Sequence, residues 1–313
     1  MSSAHKLLDP KNDVAFKRIF GSEKNKDILI HFLNDMLVFK DKAPIEDVVF
    51  LSPIQDPELA IKKTSIVDVL CKDSHGNTYI VEMQVAKTKG FEKRAQYYAS
   101  KAYCSQIKIG EHYKNLKEVI FLAIADYMMF PEKEALKSDH VILDRETFEH
   151  DLTDFSFTFL EIAKFTKRKE DIDTLSGLVE KWCYFFKYAE DVTPEELHKI
   201  VGKDRVIKKA YDELNSFYWT EDELMRYDTV IKREKDYEAV LDQKYEDGLN
   251  QGKAEGKAEG KAEGKAEGRI EERREMAMKM FAKGMDDALI TELSGLSHDD
   301  VVALKTSYIP SKP

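Results

Sequence analysis

Two short apolar runs joined by a turn constrain the fold of this chain more than any other feature. Residues 65–71 and 78–85 are rich in valine, isoleucine and other residues that favour strands. The turn between them contains Gly76, and two such runs separated by a glycine-containing turn predict a β-hairpin. The first run carries Asp68 and the second carries Glu82, so each predicted strand holds an acid among residues of the buried type.

The length of the loop sets the register of this hairpin. A three-residue loop at 74–76 places its glycine in the left-handed position that such loops require, and it sets Asp68 opposite Glu82. Because side chains alternate along a strand, Glu82 and Gln84 then share a face with Asp68. A two-residue loop would instead set Asp68 opposite Met83 and separate the two acids. The other face is expected to be apolar and to hold Val67, Val69, Val81, Met83 and Val85.

The two acids need an explanation, because a buried carboxylate is costly unless it is paired or bound to a metal. Two carboxylates that converge on one point form a site for a hard divalent cation such as Mg²⁺ or Mn²⁺. The alternative is that both acids form ion pairs with lysine or arginine from a covering helix, since buried ion pairs also occur. The hairpin by itself leaves both interpretations open.

The segments around the hairpin predict an α/β unit, which we assign to residues 1–168. Apolar residues recur at helical spacing from residue 9 to about residue 37, with a break near Gly21. Residues 90–109 predict a second helix, which Gly110 is expected to end. Strands are expected at 48–51, 119–125, 140–143 and 155–162. This order of elements predicts a mixed β-sheet flanked by helices.

Three further parts follow this unit. Residues 169–240 predict a helical extension packed on it, and residues 269–313 predict a small helical C-terminal module. Between them, residues 241–268 contain four copies of Lys-Ala-Glu-Gly. A four-residue period stacks like charges at i,i+4, and each glycine costs about 0.8–1 kcal/mol relative to alanine in a helix. A mobile linker is therefore favoured here, and an oligomerising helix whose glycines permit close approach is the alternative.

The C-terminal module is predicted to contain three short helices separated by glycines, an arrangement similar to a helix-turn-helix. Its last helix begins Ser297-His298-Asp299-Asp300, so the end expected to face a DNA groove is acidic. Phosphate contacts dominate DNA affinity, and acids at that end repel phosphate. The sequence therefore favours a protein–protein module over a DNA reader.

Composition limits the partners and the compartment. The net charge is −10, which excludes a general polyanion binder, so any DNA surface must be a local patch. The apolar run at 119–125 is far too short to span a bilayer, and the first residues contain no apolar signal region. Three scattered cysteines favour a reducing cytoplasm and argue against a zinc site. We therefore expect a cytoplasmic protein with no membrane partner.

Several motifs in this order resemble the recombination-promoting nuclease (Rpn) family of transposase-like proteins, within the PD-(D/E)XK nuclease superfamily. The motifs are Asp9-Pro10-Lys11-Asn12-Asp13, Phe16-Lys17, Phe20-Gly21, Asp68, Glu82-Met83-Gln84, Phe91, Arg94, Tyr97-Tyr98 and Gly110. The glycine-punctuated tail and the C-terminal segment are also similar, so the resemblance covers essentially the whole chain. The chain departs from the superfamily pattern at Gln84, where the usual residue is lysine.

The resemblance implies a restriction-endonuclease-like fold and metal-dependent DNA cleavage linked to recombination or mobile elements. Carried over by position, Asp68, Glu82 and Gln84 are the catalytic residues. Asp68, Glu82 and the backbone carbonyl of Met83 would hold the metal, which is Mg²⁺ with Mn²⁺ or Ca²⁺ as alternatives. Glu23 is a further candidate acid at the metal site.

The helix expected after the hairpin carries the candidate DNA contacts. Arg94 could clamp a phosphate, and Tyr98 lies one turn further along the helix. Lys87 and Lys93 belong to a local basic strip that could bind DNA or could simply be a solvated helix face. The expected partners are DNA and, through the helical tail, a second copy of the chain. Two alternatives to a nuclease stay open: an inactive or weak nuclease-fold protein that binds DNA or assembles, and a structural protein whose acids pair with Arg94 or Lys93.

Overall fold

The computed structural model describes residues 6–37, 43–55, 65–108 and 110–307. The chain divides into two compact units, one ending at Arg233 and one beginning at Glu234. The strands are β1 (Val48–Phe50), β2 (Ile54–Gln55), β3 (Ser65–Ile66), β4 (Val69–Asp73), β5 (Thr78–Gln84), β6 (Val119–Ala125), β7 (Lys137–Val141) and β8 (Phe155–Glu161). The helices are α1 (Asp13–Phe20), α2 (Lys26–Met36), α3 (Phe91–Cys104), α4 (Leu178–Tyr188), α5 (Pro194–Val201), α6 (Arg205–Glu213), α7 (Glu221–Ala282), α8 (Asp287–Ser294) and α9 (His298–Ser307).

A six-stranded mixed sheet forms the centre of the first unit, in the order β1-β4-β5-β6-β8-β7. Strands β1, β4 and β5 are antiparallel, β5, β6 and β8 are parallel, and β7 runs antiparallel to β8. Every residue of β6 is buried, as expected for a strand between two parallel neighbours. The predicted restriction-endonuclease-like α/β fold, a mixed sheet flanked by helices, is confirmed.

Helices cover both faces of this sheet. On one face, α1, α2 and α4 pack aromatic rings together, with Phe20 centred 4.9 Å from Phe32 and 5.9 Å from Trp182. On the other face, α3 packs Phe91 and a row of alanines near Phe121, whose ring centre lies 6.4 Å from that of Phe91. The central strands are therefore buried between two helical layers.

The hairpin has the predicted register. Val69 lies opposite Val81, so the next pair along the two strands is Asp68 and Glu82. Gly76 has a φ of +88°, which is the left-handed conformation that the three-residue loop requires. The two acids therefore lie opposite each other across the hairpin.

Two residues expected on the apolar face of the hairpin lie elsewhere. The strand predicted over 65–71 is interrupted before Val69, and Val67 packs with the cluster on the α3 side. Val85 follows the last residue of β5 and is 42% exposed. The other three, Val69, Val81 and Met83, are buried where expected. The interruption has a physical cause, because the backbone N–H of Asp68 donates to the Glu82 carboxylate instead of to a strand carbonyl.

Two other boundaries differ from the predictions. Helix α3 ends at Cys104, well before Gly110, and residue 109 lies outside the described residues. The strand expected at 140–143 occupies Lys137–Val141, where it pairs with β8.

The first predicted helix is divided into α1 and α2 at Gly21. The N–H of Gly21 donates to the carbonyl of Lys17, and a Cβ at this position would lie 2.9 Å from that carbonyl oxygen. The close approach requires glycine, so the chain turns here and begins α2 after one short 3₁₀ turn. The turn fixes the end of the helix that carries Lys17.

In the second unit the glycine repeat is part of helix α7, and its residues are exposed throughout. The favoured linker interpretation was therefore wrong about local structure. Alanine at every fourth position and continuation from flanking helical turns, which avoids a new nucleation step, favour the helix. Helices α8 and α9 pack on a small cluster made of Ala277, Ile290, Leu296 and Val301. Across both units, the described helices include none that is long and apolar enough to cross a membrane.

Candidate active site

The acid pair lies where β4 begins and β5 nears its end. The backbone N–H of Asp68 donates to Oε1 of Glu82 at 3.1 Å, and the backbone N–H of Met83 donates to Oδ2 of Asp68 at 2.9 Å. Each carboxylate thus accepts a hydrogen bond from the backbone of the opposite strand, which holds the two side by side. The structure brings together the two acids that the register predicted.

Both carboxylates are poorly solvated, and Glu82 is only 3% exposed. Burial raises the pKa of Asp68, while the Met83 N–H and the charge of Lys17 act in the opposite direction. Burial also raises the pKa of Glu82 to about 8, and the charge of Asp68 adds to this effect. Two negative charges in this space repel each other, so the pair binds a proton or a cation readily.

Gln84 fills the space between two of the predicted metal ligands. Its side-chain Nε2 donates to Oε2 of Glu82 at 3.2 Å and to the carbonyl oxygen of Met83 at 2.9 Å. The two oxygens therefore converge on one atomic position, which an amide N–H group occupies. A glutamine here satisfies both oxygens without adding a positive charge.

Arg94, one of the predicted DNA contacts, reaches this site from α3. Its Nη2 donates to Oε1 of Gln84, and its guanidinium lies 4.8 Å from the ring centre of Phe91. Arg94 therefore positions the Gln84 amide. Tyr98, one turn further on, is half-buried against the α3-side cluster. Burial raises the pKa of Tyr98, and the charge of Glu82 contributes, so the hydroxyl lies within electrostatic reach of the acids.

Lys17 brings a cation to the acid pair from the opposite side. Its Nζ lies 3.8 Å from Oδ1 of Asp68 and 2.6 Å from Oδ1 of Asp13. Burial lowers the pKa of Lys17, but Asp13, Asp68 and Glu82 together outweigh burial and raise it. The acids thus have one ion-pair partner from a covering helix, although neither Arg94 nor Lys93 forms that pair in the described part of the chain.

The other predicted site residues lie further out. Lys87 and Lys93 are exposed beside β5 and on α3. Glu23 is 68% exposed on its side chain and lies 3.5 Å from Nζ of Lys26, and it does not join Asp68 and Glu82 in a three-acid metal-binding group. Among the described residues, no three side chains of the His, Cys, Asp and Glu types form a metal-binding group.

Lys17 was missing from the predicted site residues. The motif that contains it had been noted, but its position far before Asp68 in sequence gives no local signal of contact. The helical periodicity of α1 offers a partial signal, because Phe16 and Phe20 are buried while Lys17 points away from that core. Only the tertiary fold places its ammonium group beside the acids.

The donor set fits a hard divalent cation. Glu82 Oε2 and the Met83 carbonyl oxygen already face one point within hydrogen-bond distance, and the Asp68 carboxylate lies beside Glu82. Oxygen ligands of this kind suit Mg²⁺ or Mn²⁺. Burial raises the pKa of both acids, and the charge of Asp68 adds to the effect at Glu82, so a bound cation would stabilise their ionised forms. Binding would require the Gln84 amide to leave the point that it occupies.

This mixed sheet, with an aspartate before one strand and a Glu-x-Gln on the next, defines a nuclease-type α/β protein. A model of the PD-(D/E)XK nuclease family transposase matches residues 10–244, which is more than half of the chain. The chain belongs to this PD-(D/E)XK family. A second model, the C-terminal HTH domain of the Rpn/YhgA-like nuclease family, matches residues 271–306 and confirms the suspected Rpn relationship. Searches of curated proteins and of solved structures found no match.

Proposed function

We propose that this chain is a metal-dependent DNA endonuclease that acts in recombination or in the movement of mobile elements. The observation that carries the proposal is the convergence of Glu82 Oε2 and the Met83 carbonyl on one point beside Asp68. Membership of a nuclease family supports it. The metal would be Mg²⁺, with Mn²⁺ or Ca²⁺ as alternatives, held by Asp68, Glu82 and the Met83 carbonyl.

The reaction is hydrolysis of a phosphodiester. A water oxygen bonds to phosphorus, the bond from phosphorus to one ester oxygen breaks, and that oxygen leaves with a proton. When bound, the metal supplies Lewis acidity at this centre. Two backbone N–H groups, those of Asp68 and Met83, hold the carboxylates of Glu82 and Asp68 side by side.

The role of Gln84 differs from that of the usual lysine. Its amide can orient a water molecule or a phosphate oxygen by hydrogen bonding, but it adds no positive charge to offset developing negative charge. Arg94 donates to the oxygen of this amide from α3 and can keep it near the acids. We therefore assign Gln84 an orienting role.

The DNA backbone would approach along the face of α3. Lys87, Lys93 and Arg94 lie on or beside this helix, and Tyr98 is half-buried near the acids. A local basic strip is needed because the net charge of the chain, −10, repels DNA elsewhere. The acidic start of the last helix led us to favour a protein–protein module for the C-terminal segment, but residues 271–306 match an HTH domain. This segment is therefore a second candidate DNA contact.

A plasmid-nicking assay tests the proposal. Supercoiled DNA is incubated with wild-type protein, Glu82→Gln and the control Glu195→Gln, each with Mg²⁺, Mn²⁺ or Ca²⁺ and with EDTA. Glu195 is exposed in the first turn of α5, so its substitution matches the change of charge without touching the site. We expect nicking by the wild type and the control, at least a hundredfold less by Glu82→Gln, and none with EDTA. Equal nicking by all three proteins would remove the proposal.

A weak or inactive nuclease-fold protein is the second candidate, acting by DNA binding or assembly. The observation that favours it is the Gln84 amide, which occupies the point of convergence and brings no charge. If the protein binds duplex DNA in EDTA but shows no Glu82-dependent nicking with any of the three metals, the second candidate is supported.

Self-association through α7 is a further part of the proposal. Tyr237, Leu241, Tyr245 and Leu249 recur every four residues and are each at least 46% exposed. An exposed apolar row on a helix is suited to packing against another helix, and we commit to a second copy of this chain. The pair of changes Leu241→Lys and Leu249→Lys should lower the molar mass measured by light scattering. The control pair Gln243→Lys and Gln251→Lys should leave it unchanged, and equal masses for all proteins would contradict self-association by this row.

A further inference from the structure

Lys17 lies close enough to the acid pair to take part in its chemistry. Its Nζ is 3.8 Å from Oδ1 of Asp68 and 2.6 Å from Oδ1 of Asp13 on its own helix. Helix α1 is firmly placed, because Phe16 and Phe20 are fully buried and the Asn12 side chain caps its first turn. The side chain of Lys17 is 40% exposed, so the ammonium group is both held near Asp68 and open to a ligand.

Among the described residues, Lys17 is the one cation that forms an ion pair with either acid of the site. Arg94 is engaged with Gln84, and Lys11 pairs with Asp126 at 2.7 Å. Within the described residues, neither of these two cations forms an ion pair with Asp68 or Glu82. The positive charge at the acid pair comes from α1 and not from β5.

We propose that Lys17 supplies the cation that Gln84 does not, by contacting a non-bridging oxygen of the scissile phosphate. This inference rests on the proposed nuclease function. A lysine on a flexible four-carbon stem can leave Asp68 and follow a phosphate that enters the site. Placed there, the ammonium group stabilises negative charge that develops on phosphorus-bound oxygens. Asp13 keeps the side chain directed to this side of the helix between reactions.

Three variants separate this role from a structural one. Lys17→Met removes the charge at similar length, and Lys17→Arg keeps it. Lys208→Met is the matched control, because Lys208 also pairs with an acid one helical turn away, Asp212 at 2.7 Å, and forms no ion pair with Asp68 or Glu82. Nicking rates are measured at saturating Mn²⁺, and Mn²⁺ affinity is measured separately by calorimetry without DNA.

We expect Lys17→Met to nick at least tenfold more slowly, Lys17→Arg to retain most of the rate, and Lys208→Met to match wild type. Without DNA, Lys17→Met should bind Mn²⁺ several-fold more tightly, because a positive charge near the acids has been removed. A structural role would instead weaken Mn²⁺ binding. If Lys17→Met nicks at the wild-type rate, or binds Mn²⁺ more weakly than wild type, the proposed role of Lys17 is wrong and the proposed nuclease function is unaffected. Absence of Glu82-dependent nicking in the wild type removes the proposed function and this inference together.

Discussion

Two buried glutamates in the parallel strands have opposite surroundings. Glu161 ends β8 and is fully buried, and Lys164 donates to its Oε1 at 2.7 Å. Its Oε2 accepts from the backbone N–H groups of Met129 and Phe130 at 2.7 and 3.1 Å. Glu82 in β5 is almost as buried, but the charge that affects its pKa most is that of another acid, Asp68, and no cation in the described residues forms an ion pair with it.

This difference is the one expected between an acid that stabilises the fold and a proposed metal ligand. Lys164 also donates to the carbonyl of Phe130, so the Glu161 pair ties the end of β8 to the loop that follows β6. Its charge is matched and its hydrogen bonds are complete. Glu82 forms no ion pair with a cation among the described residues, and burial together with the charge of Asp68 raises its pKa. An acid that stabilises the fold is expected to be paired with a cation, as Glu161 is. The proposed metal site instead needs unpaired negative charge to bind its cation.

Removal of the structural acid should have the largest effect. Glu161→Gln leaves Lys164 charged and buried without its partner, and breaking a buried pair in this way costs about 3–5 kcal/mol of folding free energy. Urea denaturation at pH 7 measures the loss. An unchanged midpoint would show that Glu161 is no more structural than Glu82 and would break the comparison.

The second largest effect should be the loss of metal binding when Glu82 is replaced. At a Mn²⁺ concentration of about 100 times Kd, the wild type should gain about 2.7 kcal/mol in the free energy of unfolding. Glu82→Gln should lose most of this gain because it removes a proposed ligand, while the control Glu195→Gln keeps it. The measurement is denaturation at pH 8.5 with Mn²⁺ or EDTA. Equal stabilisation of all three proteins would place the cation elsewhere.

The pH dependence of stability should also depend on Glu82. Its pKa is raised from 4.5 to about 8 in the folded protein, so the folded state binds the proton more tightly than the unfolded state. The resulting stabilisation is complete below about pH 4.5 and is lost as the pH rises through about 8. Each unit of pKa shift corresponds to about 1.4 kcal/mol, and we expect Glu82→Gln to remove at least that much of the decline. Parallel stability curves in EDTA for the two proteins would refute the shift.

The sequence predicted the hairpin correctly because its information is local. Alternation and the Gly76 turn were enough to set Asp68 opposite Glu82, and the continuous apolar run of β6 indicated a buried strand. The predicted placement of Val67 was wrong, because the hydrogen bond from the Asp68 N–H to the Glu82 carboxylate interrupts the strand. The alternation of apolar residues in the sequence cannot predict such a side-chain hydrogen bond.

The cationic side of the site could not be predicted in the same way. The contact of Lys17 with Asp68 joins a helix to a distant strand, so it depends on how α1 packs on the sheet. Likewise, the pairing of Arg94 with Gln84 requires the geometry of α3 over the end of β5. The sequence predicted Arg94 as a phosphate contact but did not predict its hydrogen bond to the Gln84 amide. The assignments of site residues stay predictions until the variants are measured.

The smallest expected effect comes from giving Glu82 a cationic neighbour like the one that Glu161 has. Gln84→Lys places a cation beside Glu82, as Lys164 stands beside Glu161, and should lower the pKa of Glu82 toward its ordinary value. Stability should then fall less steeply between about pH 4.5 and 8, because the folded and unfolded pKa values lie closer together. Mn²⁺ should bind several-fold more weakly, since the new charge opposes the metal. Stability curves and calorimetry on Gln84→Lys measure both changes. A slope and an affinity identical to wild type would mean that the contrast between the two glutamates does not arise from the missing cation.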